Sequence, residues 1–355
     1  MVDDNLEIYD ELNHYIGYLQ QKLLTPGYEF AHDTTLFRAW IANNRHRMED
    51  LAQQLGGSSD LVDECESHLR DFTANSSFDS FIADAIFRPI LSECLESAAD
   101  MNLALHRKVI FANSTDVSPS AAARPSSAEH LIFAGVGTFA FCNYWAKAIA
   151  TIASDFHARF NAAPFTPERL HACWSANPFP LLEAMKIALY CAITGTVVGY
   201  GEFRSSPVVT SFRLELLFAM EIFVVGHEVG HCYFEERGRD KSLSAVDEEF
   251  ACDRYALTIS RAVADHRNNW AAFSGAGAYL FLRAAAICSL ARKSDEITSI
   301  PTHPQSAERA AALVATIRAN TAVDQVEATM AYIGDMEVLC DEITTLLEDV
   351  IKKRL

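Results

Sequence analysis

Apolar positions recur three and four residues apart along most of this chain, the spacing that lines up one face of an α-helix. Leu6, Ile8, Tyr9, Leu12, Ile16 and Leu19 follow it, as do Leu51 and Leu55 and then Leu61, Val62, Cys65 and Leu69. Gly56-Gly57-Ser58-Ser59 interrupts the pattern as a helix break. Residues 1–112 therefore read as an N-terminal helical region. Residues 113–129 are rich in Ser, Pro and Ala and read as a linker or flexible loop, which sets off a second domain at 130–355.

In that second part, two apolar helical runs are expected at 130–157 and 180–193. Thr194–Glu202, with its glycines and β-branched residues, is the best strand candidate in the chain. A long helix is predicted from Ser211 through Glu235, stopping near Gly238. Ser244 followed three residues later by Asp247 resembles a capping box that opens the next helix, at about 246–265. Further helices are expected at 277–292, 305–319 and 322–351. Strand signal this sparse makes the fold class mainly α with a minor β element.

Charge and cysteine usage narrow the setting. A net charge of −18 argues against a non-specific nucleic-acid binder and against electrostatic docking on anionic membranes. The nine cysteines are scattered singly, most in apolar segments, which predicts free thiols in a reducing compartment. The N-terminus is acidic with no apolar h-region, so a secretory signal is not expected. Leu131–Ala146, Leu181–Tyr200 and Leu214–Val225 are apolar but short or charge-bearing, and read as buried helices rather than membrane spans. A cytoplasmic protein is expected.

The chemistry concentrates at His227-Glu228-Val229-Gly230-His231. Residues four apart on a helix share a face, so His227 and His231 can both aim a ring nitrogen at one ion. Glu228, one position round, can meet a metal-bound water without ligating the metal. The next predicted helix opens with Asp247-Glu248-Glu249 and carries Asp253 four residues after Glu249. Two histidines and a glutamate form a known catalytic zinc set, which makes Glu249 the third ligand. Asp253 on the same face is placed to accept the Nδ1–H of a ligand histidine. Glu248 competes for the ligand role, but it points about 100° away on the helix. Gly226 and Gly230 would let another backbone approach, whether a substrate or a packed helix. His303, in Thr302-His303-Pro304, is either an ordinary residue at a helix start or a hydrogen-bond donor to a developing oxyanion. Cys232 and Cys252 adjoin the ligands and read as buried structural thiols.

This series, HExxH, then Glu-x-x-x-Asp on a helix, then Thr-His-Pro followed by Arg309, resembles the gluzincin metallopeptidases of the CAAX prenyl protease and heat-shock membrane protease family over about 205–320. The resemblance implies a zincin-like core and a Zn2+ ion bound by His227, His231 and Glu249. It implies further that Asp253 orients a ligand histidine, that His303 helps stabilise the transition state, and that Arg309 lies in the same region. Only 17 residues separate His231 from Glu249, fewer than that family usually has. Cys252 also stands where an alanine is common. The short spacing is similar to the compact soluble HExxH peptidases of phage-exclusion and phage-repressor-cleaving type (Lit-like and ImmA-like). The expected activity is hydrolysis of peptide bonds in a protein or peptide substrate, with Glu228 as general base to a zinc-activated water. Val197–Phe203 would form the edge strand that aligns the substrate. The rival expectation is a helical regulatory protein whose structural zinc site is closed by Cys252 or His303.

Overall fold

Helices occupy most segments whose apolar spacing predicts them. The computed structural model describes residues 15–22, 34–54, 60–72, 79–125, 128–161, 163–201, 207–238, 244–290 and 304–353. Before the sheet come α1 (Thr34–Gln54), α2 (Asp60–Asp71) and α3 (Phe81–Asp100). Strands β1 (Val109–Asn113), β2 (Ala122–Arg124) and β3 (His130–Ala134) follow, then α4 (Val136–Phe160), α5 (Pro167–Ala176) and α6 (Phe179–Thr194). The last part holds α7 (Thr210–Glu236), α8 (Ala245–Arg267), α9 (Trp270–Phe273), α10 (Ala276–Leu290), α11 (Ser306–Asn320) and α12 (Val323–Lys352). The fold is mainly α with a minor β element.

α7 is the axis of the molecule. One apolar cluster, including Trp145, Phe156, Met220, Leu280 and Ile343, joins it to α4, α10 and α12. A second, including Phe87, Ile132, Ile222, Val229 and Ile259, joins its other side to α3, the sheet and α8. A helix covered on both sides reads as apolar all round, and α7 is buried at nearly every position from Leu216 to Cys232. The few polar side chains on that stretch therefore stand out.

Three expectations are corrected. Thr194–Glu202 is not a strand over its described residues: Gly195 caps α6 at φ 80°, and Gly199 and Gly201 turn the chain at φ 84° and 105°. The run expected to be helical from 130 begins as β3, all five residues of which are buried, and Gly135 then starts α4. The Ser/Pro/Ala stretch carries β2 and is not structureless, and the N-terminal region ends in β1. The sheet order is β1-β3-β2, with β1 parallel to β3 and β2 antiparallel to it. Elsewhere, the capping box of α8 is formed: Ser244 Oγ accepts from Asp247 N–H at 3.1 Å, and Asp247 returns the contact at 3.3 Å. All eight cysteines whose side chains are described are free and buried. No helix among the described residues is long and apolar enough to cross a membrane.

Glu236 ends α7 where the helix dipole disfavours a carboxylate. Its oxygens accept from the backbone amides of His106 and Arg107 at 2.6 and 2.7 Å and meet His130 Nε2 at 2.9 Å. Burial opposes its charge, but these partners hold its pKa below the ordinary range. The contact pins the end of α7 to β3, the central strand of the sheet.

Glu221 has no such support. It is 4 % exposed, and its Oε1 has no hydrogen-bond partner among the described residues. Burial pushes its pKa up to about 8. A carboxyl with a folded pKa above its unfolded value stabilises fully below the unfolded value, and that stability is lost as pH rises towards the folded one. Glu221→Gln removes this penalty. The variant should match the native protein near pH 4 and exceed it by on the order of 3 kcal/mol at pH 7. Denaturant unfolding at the two pH values checks this; a gain independent of pH would contradict it.

Candidate metal centre and substrate cleft

α7 and α8 approach closely because their contact is lined by small residues. A Cβ added at Gly226 would lie 3.3 Å from Ala256 Cα, and one at Gly230 would lie 3.2 Å from Cys252 Cα. Both glycines thus serve helix packing. That packing brings the first turns of α8 against His227 and His231.

The Nε2 atoms of the two histidines lie 3.2 Å apart. Glu249 faces both, with Oε2 3.3 Å from His227 Nε2 and Oε1 3.5 Å from His231 Nε2. The opposite nitrogens are held by different acids. His227 Nδ1 is 3.0 Å from Asp253 Oδ1, and His231 Nδ1 is 3.2 Å from Glu248 Oε1. A carboxylate that accepts the Nδ1–H leaves the Nε2 lone pair facing inward. Two such lone pairs and a carboxylate then converge, and His227, His231 and Glu249 can offer three ligand atoms lying within 4.8 Å of one another.

Three convergent acceptors favour a positive charge between or beside them, and the electrostatics of the site point the same way. Burial works against a charged His227, yet Asp253 and Glu249 outweigh it and hold its pKa at about 9. His231 is raised as well, against its own burial, with Glu249 as the main favourable partner. Burial opposes the charge on Glu249, but the two histidines and Arg309 hold it far below the ordinary carboxylate range. The donor set could hold a metal ion.

Arg309, at the start of α11, completes the surroundings. Its Nε and Nη2 donate to Asp253 Oδ2 and Oδ1 at 2.8 and 2.6 Å, and Nη1 lies 3.1 Å from Glu249 Oε2. One guanidinium therefore compensates two buried carboxylates. Glu228 is 8 % exposed and lines the cleft beside the trio. Cys232 faces the second apolar cluster, where burial lifts its thiol pKa to about 12. Cys252 is fully buried and also raised, and it is not part of the convergent group. His303 lies outside the described residues.

Sequence reasoning missed two features. Glu248 lies outside the convergent group, and its Oε1 meets His231 Nδ1. The strand at the cleft is β2: it lies at the sheet's edge, and Pro119 to Pro125 line a cavity of about 630 Å³ together with the histidines, Phe223 and Phe281. The prolines flanking this strand, in a segment of otherwise small residues, were the available signal.

The donor trio, with a carboxylate beside it, opens onto this cavity. Residues 212–329, about a third of the chain, match the model of a peptidase family described as Peptidase U49. The matched segment begins inside α7, ends inside α12 and contains every donor named above, and it supports a peptidase. No curated protein and no solved structure matches the chain.

Proposed function

We propose that this protein is a zinc-dependent endopeptidase with a gluzincin-like site. The observation that carries the reading is the inward convergence of His227 Nε2, His231 Nε2 and Glu249, each histidine backed by its own carboxylate. When bound, the metal would serve as the Lewis acid of the site and acidify the attacking water. Asp253 and Glu248 hold the two imidazoles in the ligating tautomer. Glu228 takes the proton of the attacking water and delivers it to the leaving amine. Arg309 keeps Asp253 and Glu249 ionised. His303 is assigned to the developing oxyanion.

β2, in place of Val197–Phe203, aligns the substrate: it is an edge strand whose residues line the cleft, and an extended peptide can pair with it. Pro119 and Pro125 lack N–H groups and confine that pairing to a few residues. The convergent group is two histidines and one glutamate, the protein ligand set of catalytic zinc sites, and Cys252 is not part of it. Buried free thiols and the acidic charge fit a cytoplasmic enzyme with no nucleic-acid partner.

Removal of the metal tests this. Purified protein should carry about one zinc per chain and cleave peptides or an unfolded protein. Chelation should abolish cleavage, and stoichiometric zinc should restore it. Cleavage that survives complete metal removal, measured by elemental analysis on the same sample, would refute the metal dependence.

A further inference from the structure

The metal-type trio does not sit in a uniform cleft. Phe223 precedes His227 by one turn of α7, and its ring centroid lies 6.4 Å from that of His227. Phe281 of α10 stands 6.3 Å from Phe223 and is braced from behind by Phe141, edge-on at 5.6 Å. Phe141 is fully buried, so the wall it supports is fixed by the core. Ala285, one turn further along α10 on the same face, also lines the cleft, and its single methyl leaves room in front of the two rings. The cleft is also lined by Ala245, Glu248, Ser306 and Arg309. Eight residues of helix separate Phe223 from His231, about 12 Å along the axis. An extended peptide covers that distance in three to four residues, at about 3.3 Å each.

From this we infer that the cleft selects its substrate by a bulky apolar side chain adjoining the scissile bond, seated against Phe281 and Ala285 over the buried ring of Phe223. The inference rests on the peptidase reading above and adds a substrate class to it: extended segments with Leu-, Met- or Phe-like residues beside the cleaved bond. Phe281 and Ala285 are half-buried apolar surface inside a concave site, and an apolar substrate side chain would remove that surface from water. A charged side chain seated against these apolar groups would lose hydration. Ala285 sets the depth of the subsite, and Phe281 sets its width.

The test uses peptide hydroxamates with Gly, Ala, Leu or Phe adjoining the metal-binding group, titrated calorimetrically onto the zinc-loaded full chain. Leu and Phe compounds should bind about 10- to 100-fold more tightly than the Gly compound. Ala285→Phe should collapse the Leu-to-Gly ratio towards one, and Phe281→Ala should shift the preference towards the larger ring. Zinc content and helical circular dichroism of each variant verify that it has folded. Equal affinity across the series in the native protein would overturn the inference, as would an unchanged ranking in both folded variants. The expected ranking without cleavage of matched peptides would instead overturn the endopeptidase activity and leave the subsite standing.

Discussion

Glu228→Gln should lower kcat/KM for peptide hydrolysis by about 10²- to 10⁴-fold while leaving zinc content unchanged. The amide is nearly isosteric with the carboxylate but has no basic oxygen to take a proton from the attacking water. Glu228 is not among the convergent ligand atoms, so its replacement leaves His227, His231 and Glu249 in place. Position alone distinguishes it from Glu249, its partner in the same cleft: Glu249 lies across the two Nε2 atoms, and Glu228 lies beside them. Elemental analysis and a peptide assay on one preparation separate the possibilities. Loss of both metal and activity would make Glu228 a ligand. Retention of both, within about tenfold, would place the general base elsewhere.

The second large effect is on stability. Arg309→Ala removes a guanidinium that contacts both Asp253 and Glu249, whose side chains are 4 % and 6 % exposed. Breaking a buried ion pair from one side leaves an uncompensated charge and costs on the order of 3–5 kcal/mol. The metal-free protein should show this loss in urea denaturation. Zinc should recover part of it, because a dication beside Glu249 replaces half of what the arginine supplied. Arg309→Lys should restore less than half, since one ammonium cannot grip Asp253 through two oxygens and reach Glu249 as well. A metal-free Arg309→Ala protein within about 1 kcal/mol of the native one would show that the pair is dispensable to folding.

Much of this architecture is legible along the chain, because helical burial leaves a local record. The apolar runs of α7, α10, α11 and α12, and the Ser244–Asp247 capping box, depend on neighbours within a few positions. So does the placement of His227 and His231 on one face. Strands leave a weaker record when they are short. β3 is apolar and buried throughout and β1 over its last three residues, and nothing in five residues separates a buried strand from the first turn of an apolar helix. Glycines at 195, 199 and 201 resemble a strand punctuated by turns, yet positive φ at all three makes that segment a helix cap and a bend.

The metal-type site divides the same way. The sequence by itself determined the donor types and the four-residue spacing of the histidine pair, because both are properties of a single helix. It also brought Glu249 and Asp253 onto one face of the next helix. Only the tertiary structure decided which acid meets which nitrogen: the packing of Gly226 and Gly230 on Ala256 and Cys252 sets the angle at which α8 crosses α7. That angle puts Glu249 across both Nε2 atoms and turns Glu248 to His231 Nδ1. The pairing of Arg309 with Asp253, 56 residues away, and the arrival of β2 at the cleft were likewise decided there. Contacts between distant segments depend on how whole elements pack, and no local spacing encodes that.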